Sequence, residues 1–416
     1  MKYLIQGGKQ LHGSIEIENS KNSILPILAA CILTDKRVVL HNIPKFSDIL
    51  MMIKILEHIG LKVEFDDNTI IIDGALAQNY DVPQEVGASI RSSIFAMGAI
   101  VSRFKKAKMC YPGGCDIGLR PIDLHLKGLR ELNIKIIEQH GFIYCDGKNM
   151  TGSNIFLSFP SVGATENIML ASILCEGTTI IYNPAKEPEI FDLQNFINAM
   201  GGNVSGAGTN QIIIKGVTSL RNVEYTPISD RIVAGTYMIA TAMCGGEVCL
   251  KNCDYEQNAY LISLLTKSGC NITRESEGII IKNDGHLKSI PLIDTQPYPG
   301  FPTDLQPQAM SMQTVSNGTC MLIENLYETR SKHVPELIKM GADIKIKDKT
   351  AIINGVPCLY GATVFASDLR AGASLILAGL VAKGYTTIDN NFHIKRGYEN
   401  IHEKLSKLGA EIIEIP

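Results

Sequence analysis

The segment Pro112-Gly113-Gly114-Cys115-Asp116-Ile117-Gly118-Leu119-Arg120 places a thiol and a cation in a run with three glycines. Glycine at that density suits a mobile loop, or one whose backbone closely approaches a ligand. Free cysteine is ordinarily a small buried hydrophobe, and the other ten are expected to be that. Cys115 is the exception, because a loop thiol beside Arg120 is favoured as thiolate and reactive.

Further chemically capable residues collect at the starts of apolar helices: ENSKNS, GASIRSS, FPSVGATEN, ISDRIVAGT, FPTDLQPQ and ASDLRAGAS. Others lie in the loops YPGGCDIGLRPIDLH, NPAKEPEI, NLYETRSKHVPE and NNFHIKRGYEN. Helix N-termini carry unpaired N–H groups that attract anions. Ser and Asp at such places serve as N-caps. Lys21, Arg91, Arg231 and Arg370 do not fit that role, since a cation is disfavoured there unless an anion joins it. The pattern predicts several seats for an anionic ligand.

A recurring unit must position these residues. A polar helix, a junction residue and two short β-type runs begin at Met51, Leu124, Leu193, Ala259, Val334 and Asn400. The junctions are Gly60, Asn133, Gly201, Gly269, Gly341 and Gly409, spaced by 68 to 73 residues. An internal repeat of this regularity organises the whole chain. Interleaved with it are helices apolar nearly all round, such as SILPILAACILT and GASLILAGLVAKG, which are predicted to be buried. The predicted order is buried helix, strand, outer helix, strand, strand. Six copies allow one ring or two groups of three, and two halves of about 200 residues fit ordinary domain size better.

With 45% hydrophobic and 19% charged residues, the 416-residue chain can build a large core. A net charge of −3 argues against general nucleic-acid binding. Eleven cysteines show no C-x-x-C pair and no zinc spacing, which fits reduced thiols and predicts no metal. The longest apolar stretch, 24–33, is half a membrane span. A cytoplasmic protein without membrane association is expected.

SKNSILPIL (20–28), PGGCDIGLRPIDLH (112–125), SVGATENIM (161–169), KEPEI (186–190), FPTDLQPQ (301–308), HVPEL (333–337), SDLRAGASLILAG (367–379) and IKRGYENI (394–401) together resemble UDP-N-acetylglucosamine 1-carboxyvinyltransferase, the enolpyruvyl transferase family of cell-wall synthesis. The resemblance runs through the whole chain in order. It implies an α/β fold: an inside-out α/β barrel of two domains, each of three repeats around buried helices. It implies a discontinuous first domain of residues 1–20 and 230–416, a second of 21–229 carrying the Cys115 loop, and an active site in the cleft between them. The implied substrates are phosphoenolpyruvate and UDP-N-acetylglucosamine, with no cofactor.

The same resemblance assigns roles. Lys21, Arg120 and Arg396 match positions for the donor phosphate; Arg330 and Arg370 match its carboxylate side. Asp304 matches the base at the sugar 3-hydroxyl, and Cys115 the general acid, a thiol the epoxide fosfomycin alkylates. Asn22 would hold the sugar ring. The UDP-sugar would lie along Arg91, Arg120, Pro121, Asp123 and Leu124, along Ser161, Val162 and Gly163, and against Leu326. Glu187 and Asp368 match further site carboxylates. Three positions depart from the pattern: Phe159 where some members have Lys, Val233 where Glu is often found, and Ser331 where an aromatic is common. The nearest alternative is the sister enzyme using shikimate 3-phosphate, which lacks the PGGCDIGLRP loop. The non-enzymatic alternative is a catalytically silent paralogue.

Overall fold

The computed structural model describes residues 1–113 and 121–416. The candidates Cys115 and Arg120 lie outside the described residues. The chain divides into two compact units, each with its own apolar core. The terminal unit combines Met1–Glu18 with Ser229–Pro416, and the central unit holds the described residues from Asn19 to Ile228.

In the central unit the helices Lys21–Ala30, Ser93–Phe104 and Val162–Ser172 pack on one another. In the terminal unit Arg231–Cys244, Gln306–Thr314 and Leu369–Val381 do the same. Burial is nearly continuous along them: every residue from Gln306 to Thr314 is buried. In Arg231–Cys244 and Leu369–Val381 the mostly apolar sequence accounts for this, since such a helix is stable only with other structure on every side.

Six outer helices follow the amphipathic segments: Ser47–Ile59, Asp123–Glu131, Pro188–Ala199, Ala259–Lys267, Val334–Lys339 and Ile401–Lys407. Each ends at a junction residue with positive φ: Gly60 at 103°, Asn133 at 61°, Gly201 at 95°, Gly269 at 114°, Gly341 at 94° and Gly409 at 100°. A left-handed residue there reverses the chain into the next strand; Gly adopts it without steric penalty, and Asn at smaller cost than most side chains.

The strands form six separate open sheets of three or four strands, and no closed barrel appears among the described residues. Most sheets pair an antiparallel hairpin with one further parallel strand. Thus Arg37–Leu40 pairs antiparallel with Thr69–Asp73 and parallel with Val223–Tyr225. The short parallel strands Asn154–Phe156, Val223–Tyr225, Leu292–Asp294 and Thr363–Phe365 precede the buried helices and were not expected from sequence. Three residues are too few to show a period.

Candidate active site

Asp304 sits in the short 3-10 turn Thr303–Leu305, immediately before the buried helix Gln306–Thr314. Both of its oxygens are held. Arg330 Nη2 lies 2.6 Å from Oδ1, and Arg370 Nη2 lies 2.9 Å from Oδ2. The Arg330 and Arg370 side chains are only 3% and 4% exposed, against 29% for Asp304. Buried guanidiniums need such partners, because an unpaired buried charge is far costlier than the pair. Arg330 also donates to the Thr303 carbonyl at 3.2 and 3.1 Å, which fixes it to the same turn. For Arg370, burial alone would lower the pKa; Asp304, Tyr398 and Asp230 outweigh it, so the group is raised and stays charged.

Two of the helix starts carry N-cap carboxylates. Asp368 accepts from the N–H of Arg370 and Ala371 at 2.9 and 3.1 Å, and Asp230 from Ile232 and Val233 at 2.9 and 3.0 Å. Asp368, a candidate site carboxylate, thus caps the helix that carries Arg370. Arg396 ends the 3-10 segment Asn391–Arg396 and is half-buried. Leu326 is half-buried, and buried Glu324 ties it to the Asp304 turn: Oε1 accepts from the Leu326 N–H at 2.9 Å, and Oε2 from the Thr303 hydroxyl at 2.9 Å. Glu324 was not anticipated. An isolated carboxylate at the end of a strand gives no sequence signal.

In the central unit Lys21 is the first residue of its helix and pairs with Asp48 at 3.4 Å, both mostly buried. Asn22 follows it, half-buried. Arg91 donates to the Pro121 carbonyl at 3.3 Å, which joins two of the expected nucleotide-side residues. Asp123 begins the outer helix Asp123–Glu131, with Leu124 next to it. Ser161 caps Val162–Ser172 by accepting from the Ala164 N–H at 3.4 Å, and Ser161, Val162 and Gly163 are all half-buried. Glu187 is buried at the N-terminus of Pro188–Ala199.

The departures have structural places. Val233 is wholly buried in the core, where the carboxylate often found at this position would need a partner; Phe159 is 44% exposed. Ser331 accepts from the Val334 N–H and starts the turn into Val334–Lys339.

Two buried titratable groups were also missed. Burial lowers the pKa of His333 to about 4; Arg330 reinforces this and Asp368 opposes it. Burial, then Glu189 and Glu187, push Glu166 well above the carboxylate range, so it is a neutral acid. Glu166 lies within the buried helix Val162–Ser172 and His333 at the N-cap of Val334–Lys339, and neither place gives a buried titratable group a signature in sequence. Of the ten described cysteines seven are buried, while Cys244, Cys249 and Cys358 are partly exposed, which corrects the expectation of uniform burial.

The family described as EPSP synthase (3-phosphoshikimate 1-carboxyvinyltransferase) matches residues 5–405. UDP-N-acetylglucosamine 1-carboxyvinyltransferase 2 of Caldanaerobacter subterraneus subsp. tengcongensis is 49% identical over 100% of this chain and 99% of its own. The UDP-N-acetylglucosamine 1-carboxyvinyltransferase of Thermotoga petrophila is 45% identical over 99% of this chain and 98% of its own. The chain belongs to the enolpyruvyl transferase family. Among solved enolpyruvyl transferases, NikO from Streptomyces tendae superposes with a TM-score of 0.89 at 23% identity, covering 99% of this chain and 98% of that one. EPSP synthase from Acinetobacter baumannii gives 0.78 at 19%, covering both chains entirely. At those identities the two structures show a shared α/β fold.

Proposed function

We propose that this enolpyruvyl transferase moves the 1-carboxyvinyl group of phosphoenolpyruvate to the 3-hydroxyl of UDP-N-acetylglucosamine and releases phosphate, the first committed step of peptidoglycan precursor synthesis. The observation that carries this reading is identity of 45 to 49% across nearly the whole chain to enzymes named for that transfer. The PGGCDIGLRP loop supports it over shikimate 3-phosphate transfer. The two units are taken as the two domains of an inside-out α/β organisation, each with three sheets around its buried helices, and boundaries near residues 20 and 230. Eleven cysteines without metal spacing support a reducing, cytoplasmic setting.

The sugar oxygen adds to C2 of the donor while a proton goes to C3. The tetrahedral intermediate then loses phosphate from C2 and a proton from C3. Asp304 takes the hydroxyl proton, and Cys115 supplies the proton to C3. Lys21, Arg120 and Arg396 receive the donor phosphate; Arg330 and Arg370 face its carboxylate. The ion pairs at Asp304 add a condition. A carboxylate held on both oxygens by guanidinium is a poor proton acceptor. When the donor carboxylate engages an arginine, one oxygen of Asp304 is released for the hydroxyl.

The test is phosphate release on mixing the protein with phosphoenolpyruvate and UDP-N-acetylglucosamine, with shikimate 3-phosphate as the control acceptor. Release with the UDP-sugar alone is expected. Release only with shikimate 3-phosphate, or with neither, overturns the reading.

A further inference from the structure

We propose that Tyr398 is a positioning residue for the transfer: its hydroxyl fixes Arg370, and through Arg370 the Asp304 carboxylate. The inference rests on the reading of Asp304 as the base.

Tyr398 is 1% exposed and follows the segment Asn391–Arg396 by two residues. Its hydroxyl is the meeting point of the three buried helices of the terminal unit. Thr236 reaches it from Arg231–Cys244 at 2.8 Å, Gln308 from Gln306–Thr314 at 3.2 Å, and Arg370 from Leu369–Val381 at 3.4 Å. Counting donors fixes every direction. The Thr236 hydroxyl gives its one hydrogen to the Ile232 carbonyl at 2.9 Å. Tyr398 must therefore donate to Thr236 Oγ1. Its two lone pairs then accept from Gln308 Nε2 and Arg370 Nη1, which exhausts the phenol. Burial pushes the phenol pKa up, so the group remains neutral and able to donate.

The ring adds a second restraint. The Arg370 guanidinium lies 5.7 Å from the ring centroid, within cation–π reach. Arg370 is thus held from below by the ring and hydroxyl of Tyr398, while Nη2 on its outer side bonds Asp304 at 2.9 Å. The coupling of Tyr398 to Asp304 runs through the guanidinium. A side chain that only filled space would not need its hydroxyl in this role. Phe would fill the same volume while leaving two buried donors, on Gln308 and Arg370, without their acceptor.

The experiment measures phosphate release by Tyr398→Phe, Thr236→Val, Asp304→Asn and the Asp304→Asn/Tyr398→Phe double variant, with melting temperatures for each. Small displacements of a positioned group cost on the order of 10- to 100-fold in turnover. We expect Tyr398→Phe to lose about 10- to 100-fold in kcat with KM for the UDP-sugar within about threefold, because the interaction serves the transition state. Thr236→Val keeps the Tyr398–Arg370 bond and should lose less. The double variant should be no slower than Asp304→Asn, since a residue acting through Asp304 has nothing left to act on. Folded Tyr398→Phe with near-normal kcat overturns the proposal, and so does a double variant whose losses multiply. Equal loss in Tyr398→Phe and Thr236→Val that tracks their melting temperatures also overturns it, because that is a purely structural effect. Should Tyr398→Phe not fold, Thr236→Val decides: lower kcat at an unchanged melting temperature supports coupling, and unchanged kcat refutes it. Near-normal turnover in Asp304→Asn alone would instead remove the base assignment on which the inference stands.

Discussion

The two units each pack three apolar helices together but satisfy the polar groups inside them differently. In the terminal unit the shared partner is the Tyr398 hydroxyl, and one of the groups it serves is a guanidinium that also holds Asp304. In the central unit it is an amide. Asn167 Oδ1 accepts from the Gly98 N–H at 2.9 Å, which leaves Nδ2 to donate to His125 Nδ1 at 3.2 Å. Gly98 has to be glycine, because a Cβ there would lie 2.4 Å from the Asn167 carbonyl oxygen. The third helix is held separately, through Ser23 and Asp192. The terminal unit thus uses one set of bonds for packing and for charge placement. The central unit makes its packing bonds through the Asn167 amide and the Asp192 carboxylate, without a guanidinium among the groups they join. Changes to the interior should therefore damage turnover in one unit and mainly stability in the other.

The largest expected effect is at the point where the terminal unit commits its charges. Asp304→Asn should lower turnover by about 100- to 10,000-fold, the usual cost of losing a general base. Affinity for the UDP-sugar, measured by calorimetry, should stay within about tenfold, since the amide keeps one acceptor. Near-normal turnover would move the base elsewhere, with Glu187 the next candidate.

Thiol chemistry sharpens the comparison from the other side. Burial pushes Cys145, Cys253, Cys270 and Cys320 up to about 12, and Cys175 to about 11. Against an ordinary thiol near 8.5, a pKa near 12 reduces the thiolate fraction by about 1000-fold. Brief alkylation at neutral pH should therefore give one adduct, on the peptide containing Cys115, with loss of activity. Cys115→Asp should still turn over but resist the epoxide fosfomycin. A first adduct on the partly exposed Cys249 or Cys358 would refute the assignment.

The units should also respond oppositely to pH. His333 has a lowered folded pKa, so the unfolded chain binds more protons between about 6.5 and 4. Its stabilisation is present above that window and is lost as pH falls through it, at most on the order of 3 kcal/mol. Glu166 has a raised folded pKa, so the folded chain keeps a proton that the unfolded chain releases above 4.5. Its stabilisation is full below that value and is lost as pH rises. His333→Gln should flatten the acid side of a melting-temperature profile, and Glu166→Gln the alkaline side. Identical profiles in both variants and the parent would show that neither group titrates on unfolding.

The smallest effect is predicted for the amide junction. Asn167→Ala leaves the Gly98 N–H and the His125 ring nitrogen without this partner and should cost about 1–3 kcal/mol in chemical unfolding. Turnover below the unfolding range should change less than twofold. A turnover loss as large as that of Tyr398→Phe would erase the distinction between the units.

The parts of this arrangement that were readable in sequence are those set by local backbone demands. The six junction residues stood out because a left-handed residue must end each outer helix, and few side chains tolerate it. The all-round apolar helices were readable for a similar reason: nothing in them could face water. Asp304, Arg330 and Arg370 were each selected by resemblance, but their mutual bonding spans 26 and 66 residues of chain and had no local signature. Thr236, Gln308 and Tyr398 lie inside segments singled out in sequence but were given no role there. The available clue was that a Thr, a Gln and an Arg stand in the first two turns of three helices expected to be buried, where a buried polar group must find a partner. The short parallel strands escaped because pairing with a distant neighbour, rather than their own composition, makes them strands.

The first strand, Lys2–Gln6, lies between Tyr385–Asp389 and Glu411–Ile415, antiparallel to both. Leu11–Glu16 pairs parallel with Gly246–Lys251. Lys2–Gln6 is translated well before either of its partners, because both follow the whole central unit in the chain. The central unit is complete by Ile228 and can fold as a body while the ribosome is still translating. At ordinary elongation rates the first strand then waits on the order of ten to forty seconds. Throughout that interval its backbone edge is open to strangers, and the Lys2 and Lys9 charges guard it against mispairing.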